Sequence, residues 1–156
     1  MKKLFYYETV IGKIGIAEEH GFVTNICFMN MKQPLDSKLI ETDILKETYV
    51  QISEYLDGKR KEFDIPLNPS GTDFQQKVWC EVLNIGYGNK MTYKDLALEI
   101  KNESAIRAVG SALNKNPIPI IIPCHRIVGT NGDLSGYNGG IELKKFLLNL
   151  EYENLT

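Results

Sequence analysis

Histidine and cysteine are scarce in this sequence: His20 and His125 are the only two of the first, and Cys27, Cys80 and Cys124 the only three of the second. No CxxC or HxxxH spacing occurs among them, so a structural zinc site is not expected. Three scattered cysteines are also too few for a disulfide scaffold, which favours a reduced, cytoplasmic setting. No apolar run approaches the length of a membrane span, and in the opening MKKLFYYE the charge of Glu8 interrupts what a secretory leader would need. Basic charge is missing too. With a net charge of -2, no global positive field announces nucleic acid, and a local patch must be sought instead. Nor is there an internal repeat or low-complexity tract. What is present is 43% hydrophobic residues in 156, enough core for one ordinary domain or for a small domain joined to a medium one.

The first third alternates as strands do. KLFYYETV, KIGIAEE and FVTNICFM, punctuated by Gly12, Gly15 and Gly21, predict an antiparallel meander. Residues 36–57 place Leu39, Ile40, Ile44, Leu45, Tyr49, Ile52 and Leu56 at helical spacing, and EFDIPL reads as one more strand. NPSG at 68–71 marks a boundary, so 1–68 is expected to be a small α/β scaffold domain and 72–156 a second, mostly helical one. In the latter, Thr72 with Gln75 forms a capping box, and Phe74, Val78, Val82 and Leu83 line one face of the helix. Thr92 with Asp95 opens another helix, TYKDLALEI, and AIRAVGSALNKN follows after a polar turn, ended by Pro117. Short helix, turn, helix is the outline of a helix-turn-helix. The last segment, GGIELKKFLLNLE, has Leu143, Phe146, Leu147 and Leu150 as its apolar stripe. The fold class is thus α+β.

The chemistry concentrates in IPIIIPCHRIVG, residues 118–129, where prolines stiffen the approach to Cys124 and His125. A thiolate is the attacking form of cysteine, so a reactive one needs a base or positive charge nearby. Neighbours on an extended strand point in opposite directions, so the two side chains need a turn or a bridging water to exchange a proton. A buried structural cysteine beside a satisfied histidine fits the pair equally well.

The second helix of the pair offers Ala105, Ala108, Gly110, Ser111 and Ala112, with Arg107 its one long polar residue near the start. Small residues let a backbone approach a surface closely but carry almost no base code. That suits a grip on DNA without regard to sequence, or a tight helix contact in a core. From Gly86 to Val128, Lys90, Lys94, Lys101, Arg107, Lys115 and Arg126 face Asp95, Glu99 and Glu103, a local excess of three positive charges. Such an excess allows a few phosphate contacts, and equally a solvated basic face.

PCHRIVG, together with TYKDLA, AIRAVGSALNKNPIPIIIPCHR and GYNGGIELKKFLLNLE, resembles the O6-alkylguanine-DNA alkyltransferases (methylated-DNA–protein-cysteine methyltransferases). The likeness is nearly continuous from about residue 72 to 151 and weaker before it. The resemblance implies a ribonuclease H-like N-terminal domain and a helix-turn-helix that enters the minor groove of double-stranded DNA and flips O6-alkylguanine into a pocket. Cys124 would be the acceptor thiolate, taking the alkyl group irreversibly in a single-turnover, suicide DNA repair reaction. His125 would be its base through a water, polarised by Glu151, with the logic of a hydrolytic triad. Tyr93 would donate to the guanine N3 and crowd the phosphate of the flipped nucleotide. Arg107 would fill the gap in the stack, and Asn116 would brace the reading helix against the active-site loop. Ala105, Ala108, Gly110, Ser111 and Lys115 would complete the DNA face. The carbonyls of Cys124 and Ile127, the N–H of Asn138, the ring of Tyr137 and the space at Gly139 and Gly140 would form the substrate pocket. No cofactor, metal or membrane is implied, and a monomer is expected. Alkyl-group size, acceptance of O4-alkylthymine and cooperativity along DNA stay open, as do the roles of Cys27 and Cys80, taken as core residues.

Two other functions fit parts of the pattern. A lesion sensor or regulator would keep its role after Cys124→Ser. A cysteine hydrolase would turn over esters or peptides, but no oxyanion-hole motif is evident.

Overall fold

Strand β1 (Lys3–Thr9) returns as β2 (Gly12–Glu19) and β3 (Phe22–Phe28) through tight turns, giving the antiparallel meander the alternation predicts. At the second turn His20 and Gly21 have φ of 56° and 83°, the two left-handed residues of a type I′ hairpin, whose twist matches that of the strands. The computed structural model describes residues 1–134 and 136–155. Its contacts divide the chain into units Met1–Ser70 and Gly71–Thr156.

In the first unit a two-residue strand β4 (Lys38–Leu39) joins the sheet parallel to β1, for the order β3-β2-β1-β4. The helix expected over 36–57 is therefore shorter. It runs as α1 (Asp43–Leu56) because Thr42 caps it, its hydroxyl accepting from the Leu45 N–H. Leu39 and Ile40 consequently lie exposed outside the helix. Leu45, Thr48, Ile52 and Tyr55 form the buried stripe of α1, and against it stand Ile14, Ile16, Val23 and Ile26, all fully buried. EFDIPL is not a strand. Apart from a single bridge, Val23 to Leu67, it is irregular; Gln51 holds it to α1 through both the N–H and the carbonyl of Asp64.

The second unit is mostly helical. Helix α2 (Asp73–Leu83) opens with both bonds of the Thr72–Gln75 capping box. Its core contacts are Val78, Trp79 and Val82, while Phe74 is half-buried and Leu83 exposed. The Trp79 indole donates to the Ala112 carbonyl at 2.9 Å, which ties α2 to α4 (Ile106–Asn114). Strand β5 (Met91–Thr92) leads directly into α3 (Tyr93–Glu99), capped by Thr92 as expected. A 3-10 turn, Glu103–Ala105, intervenes before α4. Beyond it, β6 (Ile127–Val128) pairs parallel with β5, and α5 (Ile141–Glu153) closes the described chain. The face α5 buries is Lys144, Leu147 and Glu151; Phe146, expected in the core, is 39% exposed. No helix among the described residues is long and apolar enough to cross a membrane.

Candidate active site

The segment from Asn116 to Val128 is buried almost without interruption, and Asn116 organises it. Its Oδ1 accepts from the Ile118 N–H at 2.9 Å, an Asx turn. Its Nδ2 donates to the Ile122 carbonyl at 2.9 Å and to the Cys124 sulfur at 3.0 Å. Within this loop Ile120 has φ 75° and is 1% exposed. A β-branched residue there costs about 1–3 kcal/mol and persists only where its surroundings fix it. Pro123 (φ -82°, ψ 62°) then forms an inverse γ-turn, with the Cys124 N–H donating to the Ile122 carbonyl at 2.8 Å. Cys124, His125 and Arg126 follow in one 3-10 turn. The Cys–His pair is therefore not on an extended strand.

Pairing of β6 with β5 sets Thr92 opposite Val128, which brings Tyr93 alongside this turn. Helix α5 supplies the other side. His125 Nε2 meets Glu151 Oε2 at 2.7 Å. Arg126 grips the same carboxylate with two nitrogens, Nε to Oε1 at 2.9 Å and an Nη2 to Oε2 at 3.0 Å, while Nη1 donates to the Ile85 carbonyl at 2.6 Å. The Gly88 N–H donates to Oε1 as well, at 3.0 Å. Lys144, 1% exposed, donates to the Ile127 carbonyl at 2.5 Å and lies 5.9 Å from the centre of the Tyr93 ring.

The electrostatics follow from burial. Desolvation pushes the Cys124 thiol up to about 12, against the pull of the Asn116 bond and the Lys144 charge. Burial thus favours the thiol over the thiolate at rest. His125 is held below its ordinary value, first by burial; Glu151 opposes that, and Arg126 and Lys144 reinforce it. Both directions favour the uncharged forms, imidazole and thiol, on neighbouring residues of one turn. Burial raises Tyr93, with the charges of Asp133 and Cys124 adding to it, and burial raises Tyr137 as well.

Of the residues singled out from sequence, Cys124, His125, Glu151, Tyr93 and Asn116 come together around this turn. Tyr137 reaches it edge-on, its ring 6.4 Å from that of His125. Asn138, Gly139 and Gly140 are half-buried in the loop before α5. The Ile127 carbonyl already accepts from Lys144, and the Cys124 carbonyl from the Ile127 N–H, so each keeps one lone pair for a ligand. Separate from this cluster, Arg107, Ala108, Ser111 and Lys115 lie exposed on α4, with Ala105 and Gly110 half-buried. No ion pair joins Arg107 to Glu103. Arg126, counted among possible phosphate contacts, is buried instead, and Cys80, taken as core, is exposed. Lys144 and the role of Arg126 escaped the sequence. Spacing carried a signal for Lys144, since 144, 147 and 151 fall on one helical face. Among the described residues no group of three or more His, Cys, Asp or Glu could hold a metal ion.

The chain matches the family descriptions "6-O-methylguanine DNA methyltransferase, DNA binding domain" over residues 73–153 and "6-O-methylguanine DNA methyltransferase, ribonuclease-like domain" over 3–69. It is 42% identical to a methylated-DNA–protein-cysteine methyltransferase of Methanosarcina acetivorans, covering 93% of this chain and 95% of the relative. The inducible protein of that name from Bacillus subtilis is 48% identical, over 92% and 80% respectively. The fold is also similar to that of Mycobacterium tuberculosis OGT solved in complex with DNA, with a TM-score of 0.92 and 36% identity over 97% of this chain and 94% of that one.

Proposed function

Since this chain belongs to the 6-O-methylguanine DNA methyltransferase family, we propose that it repairs alkylated DNA by moving the alkyl group of O6-alkylguanine onto its own Cys124. The enzyme is a methylated-DNA–[protein]-cysteine S-methyltransferase. One observation carries the assignment of the acceptor: a buried thiol bonded to Asn116, next in the chain to a neutral imidazole that is itself bonded to Glu151.

The reaction balances as a displacement. Sulfur forms a bond to the alkyl carbon, the carbon–O6 bond breaks, and its electron pair leaves with guanine. The thiol proton passes through a water to His125, whose positive charge Glu151 then stabilises. Because burial disfavours the thiolate at rest, proton loss is coupled to attack rather than preceding it. Tyr93, kept protonated, donates toward the purine N3 as charge builds on the leaving base. Asn116 stabilises the developing anion on sulfur through its 3.0 Å bond.

In a stacked duplex O6 is out of a thiol's reach, so the target nucleotide is flipped out. Helices α3 and α4 act as a helix-turn-helix in the minor groove. The exposed small residues of α4 allow close approach, Lys115 adds positive charge, and Arg107 occupies the vacated stack. The loop carrying Tyr137 to Gly140 walls the base pocket; left-handed φ at Gly136 and Gly140, 87° and 92°, lets it turn tightly there. A thioether does not leave again, so each monomer acts once.

Incubation with a duplex carrying one O6-methylguanine should add one CH2 in mass to the Cys124 peptide and restore guanine, mole for mole. Many turnovers per protein, or the label elsewhere, would overturn the assignment.

A further inference from the structure

Glu151 serves two partners through one oxygen. Its Oε2 is 2.7 Å from His125 Nε2 and 3.0 Å from an Arg126 guanidinium nitrogen, so those two nitrogens lie within about 6 Å of each other. The carboxylate is 1% exposed and Arg126 7% exposed, so water screens little of this. A carboxylate buried beside an imidazole alone would draw a proton onto the ring, because an uncompensated buried charge costs several kcal/mol. That would make an imidazolium, which cannot accept the thiol proton. Here the compensation comes from a permanent cation in a two-pronged grip, itself anchored on the Ile85 carbonyl.

Resting on the alkyl-acceptor reading above, we infer that Arg126 is a positioning residue that keeps the Glu151 carboxylate from locking His125 as imidazolium, and so preserves the base for alkyl transfer. Its bonds to the site run through Glu151, and its charge also bears directly on the imidazole. The other charged and titratable groups around the pair are Lys144 on α5, Cys124 on the same turn, Tyr87 after α2 and Tyr137 before α5. Lys144 pushes the imidazole in the same direction as Arg126, but it donates to the Ile127 carbonyl rather than to the shared carboxylate. It therefore cannot compensate Glu151 directly.

The test follows the ring nitrogens of His125 by NMR in the full chain labelled with 15N-histidine. Only two histidines are present, and exposed His20 serves as the reference. Between about pH 5 and pH 9, Arg126→Gln should raise the His125 midpoint by roughly 1–3 pH units, the range for loss of a charge at this distance. Arg126→Lys keeps the charge and should stay within about half a pH unit of wild type. In single-turnover transfer at pH 7, Arg126→Gln should be slower by about tenfold for every pH unit by which its midpoint exceeds 7, its rate should fall off at a higher pH than wild type's, and it should recover as pH rises past the new midpoint. An unmoved His125 midpoint in Arg126→Gln, or a uniform loss of rate at every pH, would overturn the inference. Should Arg126→Gln not fold, a midpoint in Arg126→Lys displaced upward by a full pH unit would do the same. Failure of wild type to alkylate Cys124 would sink the proposed function instead, since the titration needs no DNA.

Discussion

Asn116 gives the sharpest test of how the thiol is held. In Asn116→Ala the Ile118 N–H loses its partner while still buried, at a cost of about 1–3 kcal/mol. The Ile122 carbonyl fares better, because it keeps the Cys124 N–H at 2.8 Å, so its loss is about 0.5–1.5 kcal/mol. Together these predict a destabilisation of roughly 2–4 kcal/mol, read from the urea midpoint at constant slope. The sulfur also loses its one strong donor. A hydrogen bond to a charged group is worth about 1.5–3 kcal/mol, so thiolate alkylation by iodoacetamide should slow by about ten- to a hundredfold. Asn116→Asp separates the two effects. It retains an acceptor for Ile118 but sets a carboxylate against the sulfur, so reactivity should fall at least as far while the Asx turn survives. Wild-type alkylation rates in both variants would refute the role given to the Asn116–Cys124 bond.

Stability should depend on pH through the same site. His125 is depressed, so the unfolded chain binds its proton first; the folded state is favoured fully above the ordinary imidazole value near 6.5 and loses ground as pH falls below it. Cys124 is raised from 9.0 to about 12, so its contribution is complete below 9.0 and drains as pH rises through that interval. Urea midpoints at several pH values check both, and an acid limb no shallower in His125→Gln than in wild type would contradict the first. Arg107 lies exposed on α4 without an ion pair to Glu103, so Arg107→Ala should leave the urea midpoint within about 0.5 kcal/mol of wild type. It should slow repair in duplex DNA more than attack on a free alkylguanine, for which no stack needs filling; equal losses on both substrates would make it structural.

Local signals read well from the chain. Thr72 with Gln75 and Thr92 with Asp95 cap helices because those bonds lie within four residues, and Gly21 marked the turn its positive φ requires. Signals that depend on a distant partner read poorly. Leu39 and Ile40 fit a helical period, yet Lys38–Leu39 pairs with β1, and the Thr42 cap starts the helix after them. Phe146 continued an apolar stripe, yet α5 turns the face bearing Lys144 and Glu151 inward, because the core there offers a carbonyl and two cationic or imidazole partners rather than hydrocarbon.

By itself the sequence singled out candidate groups: a cysteine delivered by a proline-stiffened arm, a histidine next to it, and, through the family resemblance, Glu151, Tyr93 and Asn116. Tertiary structure decided their protonation. Whether sulfur rests as thiol and imidazole as free base depends on how much water reaches them and which charges stand within a few ångströms. Glu151 and Lys144 became part of that environment only when α5 packed against the turn at Cys124, and no spacing in the chain encodes a dielectric.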